Sequence, residues 1–235
     1  MLTRTRAKYL HSARLSLYRM TGMAKALELE EKRTLEQHMG FHGQWEEHRR
    51  FQMDFAKRLG LVPNSRFIEI GCGPLTLGMP MMQYLDANRY TGIDVRPEVL
   101  NLGWQEVGKA GLSAKNPRLV ISQSFGAQEL PDDARADMMW SFSVLFHLTD
   151  ALVDACFAQV ARRLAPGATY IANINPAQAE STWLQFPFNK RGVDFYRTAA
   201  ARHGLKLDEL GTLQSLGFTL DTVEKVNILL KLQHA

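Results

Sequence analysis

The stretch Phe67-Ile68-Glu69-Ile70-Gly71-Cys72-Gly73-Pro74-Leu75-Thr76-Leu77-Gly78, followed by Tyr90-Thr91-Gly92-Ile93-Asp94, decides how this chain is read. Its first part is a short apolar run that ends in a glycine-rich turn. Its second part is another strand-like run that ends in an acid. Glycines at i and i+2 let the backbone turn sharply and approach a ligand with no Cβ in the way. An acid about twenty residues further on, at the tip of the next strand, can accept hydrogen bonds from both hydroxyls of a ribose. Together they describe a pocket for an adenosine-bearing cofactor.

Which cofactor depends on detail. A dinucleotide turn wants G-x-G-x-x-G, with the third glycine opening a helix that receives a pyrophosphate. Here the residue three after Gly73 is Thr76. An acid, Glu69, stands two residues before Gly71; it would repel a pyrophosphate and suits a cofactor carrying positive charge. S-adenosylmethionine carries an ammonium and a sulfonium. On these residues the chain resembles the class I S-adenosylmethionine-dependent methyltransferases of small-molecule type. Their first motif is (Asp/Glu)-x-Gly-x-Gly-x, and Leu75 stands where a third glycine is common.

Outward from this stretch, strands and helices alternate. Strands are expected at Arg66–Ile70, Tyr90–Asp94, Arg118–Ser122, Asp137–Phe142 and Ala168–Ile174. Helices are expected from about Leu77 to Leu85, Pro97 to Ala110, Thr149 to Leu164 and Val193 to His203. Pro166-Gly167 reads as a tight turn. Two β-rich runs, Leu205–Leu210 and Val226–Leu232, close the chain as a hairpin-like pair. The expected fold is α/β: a Rossmann-like doubly wound sheet, mostly parallel, with an antiparallel last strand. Before it, residues 5–35 favour helix and Trp45–Leu59 reads as a second helix, with Phe51, Phe55 and Leu59 at i, i+4, i+8. The expected organisation is an N-terminal helical cap over 1–60 and a methyltransferase domain over 61–235.

The resemblance assigns roles residue by residue. Gly71, Cys72 and Gly73 would pass close to the methionine part of the cofactor, and Glu69 would orient that loop or bind a water near the ammonium. Asp94 would take the ribose hydroxyls and Val95 would pack on the adenine. After the third strand, Phe125-Gly126-Ala127-Gln128-Glu129-Leu130-Pro131 resembles the family's Asp-Ala…Leu-Pro stretch, with Gly126 in place of the acid. There Phe125 would stack on the ring, and Gln128 or a backbone carbonyl would meet the amino group. Ser141-Phe142-Ser143-Val144-Leu145-Phe146-His147-Leu148 resembles the fourth motif, so Ser141 and Phe142 would border the transferable methyl. His147 is the candidate catalytic residue, since a histidine can accept a hydroxyl proton at neutral pH. Lining the pocket without proton transfer and a purely structural role stay open for it. Asn175, Trp183 and Phe188 are the candidate substrate contacts, Phe186 and Lys190 belong to the same lid-like segment, and His42, Gln44 and Trp45 would close over the cofactor.

Composition bounds the rest. The chain has 235 residues, 46% hydrophobic and 22% charged, enough for one α/β core with an appendage. The net charge of +4 is uneven: residues 1–35 hold eight basic and three acidic residues, leaving −1 for the remainder. A basic arm of this kind fits a solvated helix face, an anionic membrane surface or a nucleic acid. No apolar run approaches the roughly 18 residues of a membrane span, and no signal-peptide pattern opens the chain. The two cysteines, Cys72 and Cys156, read as reduced and structural, in a cytoplasmic protein. No residue cluster has metal-ligand spacing. The (Asp/Asn)-Pro-Pro-aromatic motif of amino-methylating nucleic-acid enzymes is missing, because that place reads Ser141-Phe142-Ser143-Val144. The expected activity is methyl transfer from S-adenosylmethionine to a small-molecule or glycan-like acceptor, more to oxygen than to nitrogen. The alternatives are an RNA-modifying methyltransferase that uses the basic arm, and a catalytically silent binding protein of the same fold.

Overall fold

The computed structural model describes residues 44–176, 181–183 and 186–235, without the side chains of 181–183 and Val223. The basic arm and His42 lie outside the described residues. The chain divides after Trp45, and the compact unit Glu46–Ala235 is the one described below.

Helix α1 spans Trp45–Arg58, with Glu46 and Glu47 in its first turn and Lys57 and Arg58 in its last, a charge order that suits the helix dipole. Phe51 and Phe55, one turn apart, stack with ring centroids 5.8 Å apart. The left-handed backbone of Gly60 (φ +96°) then turns the chain toward the sheet. Alternation follows: β1 Phe67–Ile70, α2 Gly78–Tyr84, β2 Tyr90–Asp94, α3 Pro97–Lys109, β3 Arg118–Ile121, β4 Ala136–Ser141, α4 Asp150–Arg163, β5 Leu164–Ile174, β6 Ser181–Trp183, β7 Phe186–Phe188, α5 Val193–Ala201, β8 Leu205–Thr212 and β9 Ile228–His234.

Seven strands form one sheet in the order β3-β2-β1-β4-β5-β9-β8, and β6 and β7 form a separate hairpin. β1, β2, β3, β4 and β5 pair in parallel. β9 runs antiparallel to both neighbours, wedged between β5 and β8. β1 is buried along its whole length, as a central parallel strand covered on both faces must be. Alternation along it sends Ile68 and Ile70 to one face, where Val153, Cys156, Phe157 and Val160 of α4 and Tyr196, Ala199 and Ala200 of α5 cover them. Phe67 goes to the other face with Met138, Trp140, Ile171 and Leu229, covered by Phe51, Phe55 and Ala56 of α1 and by α2.

The antiparallel last strand is as expected. The Pro166-Gly167 turn is not: β5 begins at Leu164, which already pairs with Ala136, and the register then slips so that Met138 meets Thr169. Pro166 and the left-handed Gly167 (φ +77°) therefore form an exposed bulge within the strand rather than a turn before it. The β6–β7 hairpin was not foreseen either, because three-residue strands carry too few positions to show a period.

Candidate active site

Five non-glycine residues among those described have positive φ. Asn88 and Asn116, a residue type that tolerates this region, precede β2 and β3. Leu75, Phe125 and Ser143 do not tolerate it well, and each lies in a loop that follows a strand: β1, β3 and β4. The backbone strain thus gathers at the carboxyl edge of the sheet, where open α/β folds bind ligands.

The glycine turn after β1 is stitched to the tip of β2. The N–H groups of Gly71 and Cys72 both donate to the Ile93 carbonyl (2.7 and 3.1 Å), and that of Gly73 donates to Asp94 Oδ2 (2.8 Å). Gly71 and Gly73 are left-handed, with φ +72° and +53°. A Cβ on Gly71 would stand 2.4 Å from Val144 Cγ2, so the loop after β4 rests directly on this turn. Leu75, where relatives often carry glycine, keeps φ +66°. Its side chain is fully buried against Gly103 of α3, whose missing Cβ makes the room. Core packing offsets the strain that glycine would have avoided.

Asp94 is buried and holds three donors: Gly73 N, Arg96 N (3.0 Å) and Arg96 Nε (3.3 Å). A carboxylate offers about four lone-pair positions, so a ribose would meet a prepositioned acceptor and displace the Arg96 side chain to engage both oxygens. Val95 beside it is 42% exposed, an apolar surface open to a ring. Cys72 turns its thiol into the core against Gly92, so this residue offers a ligand only its backbone. Burial holds that thiol well above its usual range. Glu69 lies under the turn, accepts a hydrogen bond from Tyr90 Oη (2.6 Å), and is pushed up to about 8 chiefly by burial, with Asp94 adding to the rise.

The loop after β3 is built around Ser122. Its Oγ accepts from the N–H of Ser124 (3.1 Å) and Gly126 (2.9 Å) and donates to Glu129 (2.8 Å). Phe125 and Gly126 both have positive φ, and Leu130 and Ile93 crowd the space where a Gly126 Cβ would sit. An acid at that position would clash, which accounts for the glycine. Arg163, fully buried at the end of α4, clamps the loop from beneath by donating to the carbonyls of Gly126 (2.8 Å) and Pro131 (3.0 Å). Ala127 sits in this loop, its N–H bonded to Ser124.

Beyond β4, the Ser141 hydroxyl is committed to Tyr170 Oη (2.6 Å) in the core, so Ser141 also presents backbone. Phe142 is half-buried, and Ser143 N donates to Asn173 Oδ1 (2.5 Å). His147 closes this loop in a short 3₁₀ turn, with its ring 4.5 Å from that of Phe188 and 6.0 Å from that of Phe186. Its Nδ1 lies 2.9 Å from the Pro187 carbonyl. A carbonyl only accepts, so the proton is on Nδ1 and the basic lone pair on Nε2. Burial lowers the histidine's affinity for a second proton, and Arg96 lowers it further. Arg96 in turn lies over the Phe186 ring at 5.7 Å, so one guanidinium joins Asp94 to the hairpin. Asn175, just past β5, is buried. The backbone of Trp183 pairs with Phe186 in the hairpin.

Sequence reasoning missed several members. Arg163 looked like an ordinary basic residue in the last turn of a helix. Three residues of α1 reach the site: Arg49 donates to the Thr76 carbonyl (2.7 Å), Gln52 accepts from Trp140 Nε1 (2.9 Å), and His48 meets Phe142 edge-on at 5.9 Å. Their spacing at i, i+1 and i+4 carried no motif signal. Among the described residues no group of three His, Cys, Asp or Glu side chains is placed to share a metal ion, and no helix is long and apolar enough to cross a membrane.

Residues 68–170 match a protein-family model described as a methyltransferase domain. The segment contains the glycine turn, Asp94, the Ser122 loop, His147 and β5 up to Tyr170. Comparison with curated protein sequences gives no significant match. Solved structures share the fold. An S-adenosylmethionine-dependent methyltransferase from Clostridium acetobutylicum is 12% identical with a TM-score of 0.61, over 81% of this chain and 92% of that one. Magnesium protoporphyrin IX methyltransferase from Synechocystis is 13% identical with a TM-score of 0.61, over 96% and 99%. The glycopeptide N-methyltransferase MtfA is 15% identical with a TM-score of 0.62, over 82% and 90%. Residues 68–170 thus match a methyltransferase domain, and the chain shares the fold of these S-adenosylmethionine-dependent enzymes.

Proposed function

We propose that this protein transfers a methyl group from S-adenosylmethionine to a hydroxyl of a small-molecule or glycan-like acceptor. The observation that carries the donor assignment is the joint between the left-handed Gly71–Gly73 turn and Asp94, made by the 2.8 Å bond from Gly73 N to Asp94 Oδ2. The residues fit that donor. Gly71 and Gly73 allow backbone approach, Asp94 would accept from ribose hydroxyls, exposed Val95 would pack on the adenine, and Phe125, Gly126 and Ala127 would contribute the loop beside the ring. Glu69, raised to about 8, is neutral in the free protein and becomes the counter-charge when a cation is nearby. Solved relatives of the same fold act on a porphyrin and on a glycopeptide, as their names state, which supports an acceptor of that general size.

When bound, the donor supplies an electrophilic methyl on an already activated sulfonium, so the protein has chiefly to align and desolvate the partners. His147 has the remaining task. With Nδ1 held by Pro187, its Nε2 is set to take the hydroxyl proton as the oxygen attacks, a contribution of about 10²–10⁴-fold. Phe186 and Phe188 of the hairpin exclude water beside it. Calorimetric titration tests the assignment: S-adenosylmethionine is expected to bind at micromolar concentration and NAD not at all. Binding of NAD alone would overturn it.

A further inference from the structure

Three buried asparagines stand at one corner of the sheet, on the face covered by α1. Asn173 and Asn175 are two residues apart at the end of β5 and so share a face. The pairing of Ile174 with Ile228 puts Asn227 across from Asn175, and alternation from Leu229 sends its side chain to that same face. Asn227 is 1% exposed, and among the described residues neither its Oδ1 nor its Nδ2 has a hydrogen-bond partner. Asn173 Nδ2 and Ser143 Oγ are buried and unpaired in the same way. A buried amide left without a partner is destabilising, and several around one spot mark groups kept for something that arrives.

Side-chain and backbone contacts close a ring around the spot. Asn173 Oδ1 holds Ser143 N, the neighbouring Phe142 meets His48, and His48 Nε2 lies 3.1 Å from Glu224 Oε2. The Glu224 carbonyl then accepts from Asn227 N at 2.8 Å. Phe218, 5.0 Å from the His48 ring, adds a second apolar wall. The ring adjoins Phe142, on the β4 loop that rests on the glycine turn.

We infer that this corner is the acceptor subsite and that it takes a neutral polyhydroxylated ring, a sugar-like molecule, by a pair of neighbouring hydroxyls. The inference rests on the methyl-transfer reading above. The chemistry selects the ligand. Asn227 offers one donor and one acceptor side by side, which two adjacent hydroxyls match. Phe142 and Phe218 suit the C–H face of a ring. The nearby side chains of His48 and Glu224 already face one another, so neither invites an ionic group.

Thermal melting with S-adenosylhomocysteine, followed by methyl glycosides of glucose, galactose, mannose and rhamnose, tests it on the wild type, Asn227→Leu and Asn227→Asp. S-adenosylhomocysteine should raise the melting temperature of all three proteins alike. At least one glycoside should add a further rise in the wild type and bind Asn227→Leu at least about tenfold more weakly. Without ligands, Asn227→Leu should melt no lower than the wild type, because it removes an unpaired amide. If both variants melt well below the wild type, the amide is a structural element, satisfied by a bound water, and the inference falls. If S-adenosylhomocysteine acts on the wild type and no glycoside does, the inference is overturned while the donor assignment stands. If S-adenosylhomocysteine has no effect on the wild type, the donor assignment fails and the subsite with it.

Discussion

The two halves of the sheet's carboxyl edge are built on opposite plans. On the β1–β2–β3 side, polar groups are spent on one another: Gly73 on Asp94, Tyr90 on Glu69, Gly126 on Ser122 and Arg163. On the β4–β5–β9 side, the Asn227 amide, Asn173 Nδ2 and the Ser143 hydroxyl are buried without a hydrogen-bond partner among the described residues. A site for one constant ligand can be rigid and satisfied in advance, which reduces reorganisation on binding. A site that must recognise a particular acceptor keeps its hydrogen-bonding capacity in reserve, and the molecule that fills it gains the energy the free protein gave up. On the proposed reading, the difference makes the first half a prepared seat and the second an incomplete one.

The sharpest way to break this comparison is to remove a function from each half. His147→Ala should lower turnover by about 10²–10⁴-fold with little change in donor affinity, checked by single-turnover kinetics beside donor titration. In the wild type, kcat/KM should fall only below pH 6.5, because burial lowers His147's affinity for the second proton. A profile still flat after His147 is removed, with unchanged rate, would take it out of the mechanism. Asp94→Ala should weaken donor binding by about 100-fold through lost charge-assisted hydrogen bonds. Normal donor affinity in that variant would contradict the ribose role.

Smaller effects sharpen the picture of the prepared half. Arg163→Met leaves the carbonyls of Gly126 and Pro131 without their donor and should cost about 2–3 kcal/mol, read as a drop in urea midpoint. Donor affinity should fall with it, because the loop of Phe125 to Ala127 loosens. An unchanged midpoint would show that the clamp is redundant. The smallest effect comes from Glu69. Its carboxyl sits at about 8 in the folded protein against an ordinary 4.5, so the folded state binds this proton more tightly than the unfolded chain. The resulting stability is full below pH about 4.5, fades as pH rises through the interval and is gone above about 8. Glu69→Gln should flatten melting temperature against pH over that range. Donor binding to the wild type should release a proton near pH 7, seen as a buffer-dependent calorimetric enthalpy that Glu69→Gln abolishes.

What could be read from the chain by itself was whatever lies within a few residues along it. The alternation of apolar runs with helical stretches predicted the parallel sheet and its antiparallel last strand. The Gly71–Gly73 turn and Asp94 carried the expectation of a donor seat, because a turn, a strand tip and the residues between them are local chemistry with a fixed spacing, and the structure joins the two through Gly73 N and Asp94 Oδ2. Only the tertiary structure decided the rest. Arg163 acts on a loop 32 to 37 residues before it, and His48 is brought to Phe142 and Glu224 by the packing of α1. Asn227 comes opposite Asn175 only because β9 enters the sheet in reverse, pairing Ile228 with Ile174. Such contacts join positions with no mutual spacing to read, and the unpaired state of a buried amide exists only once the chain around it has excluded water.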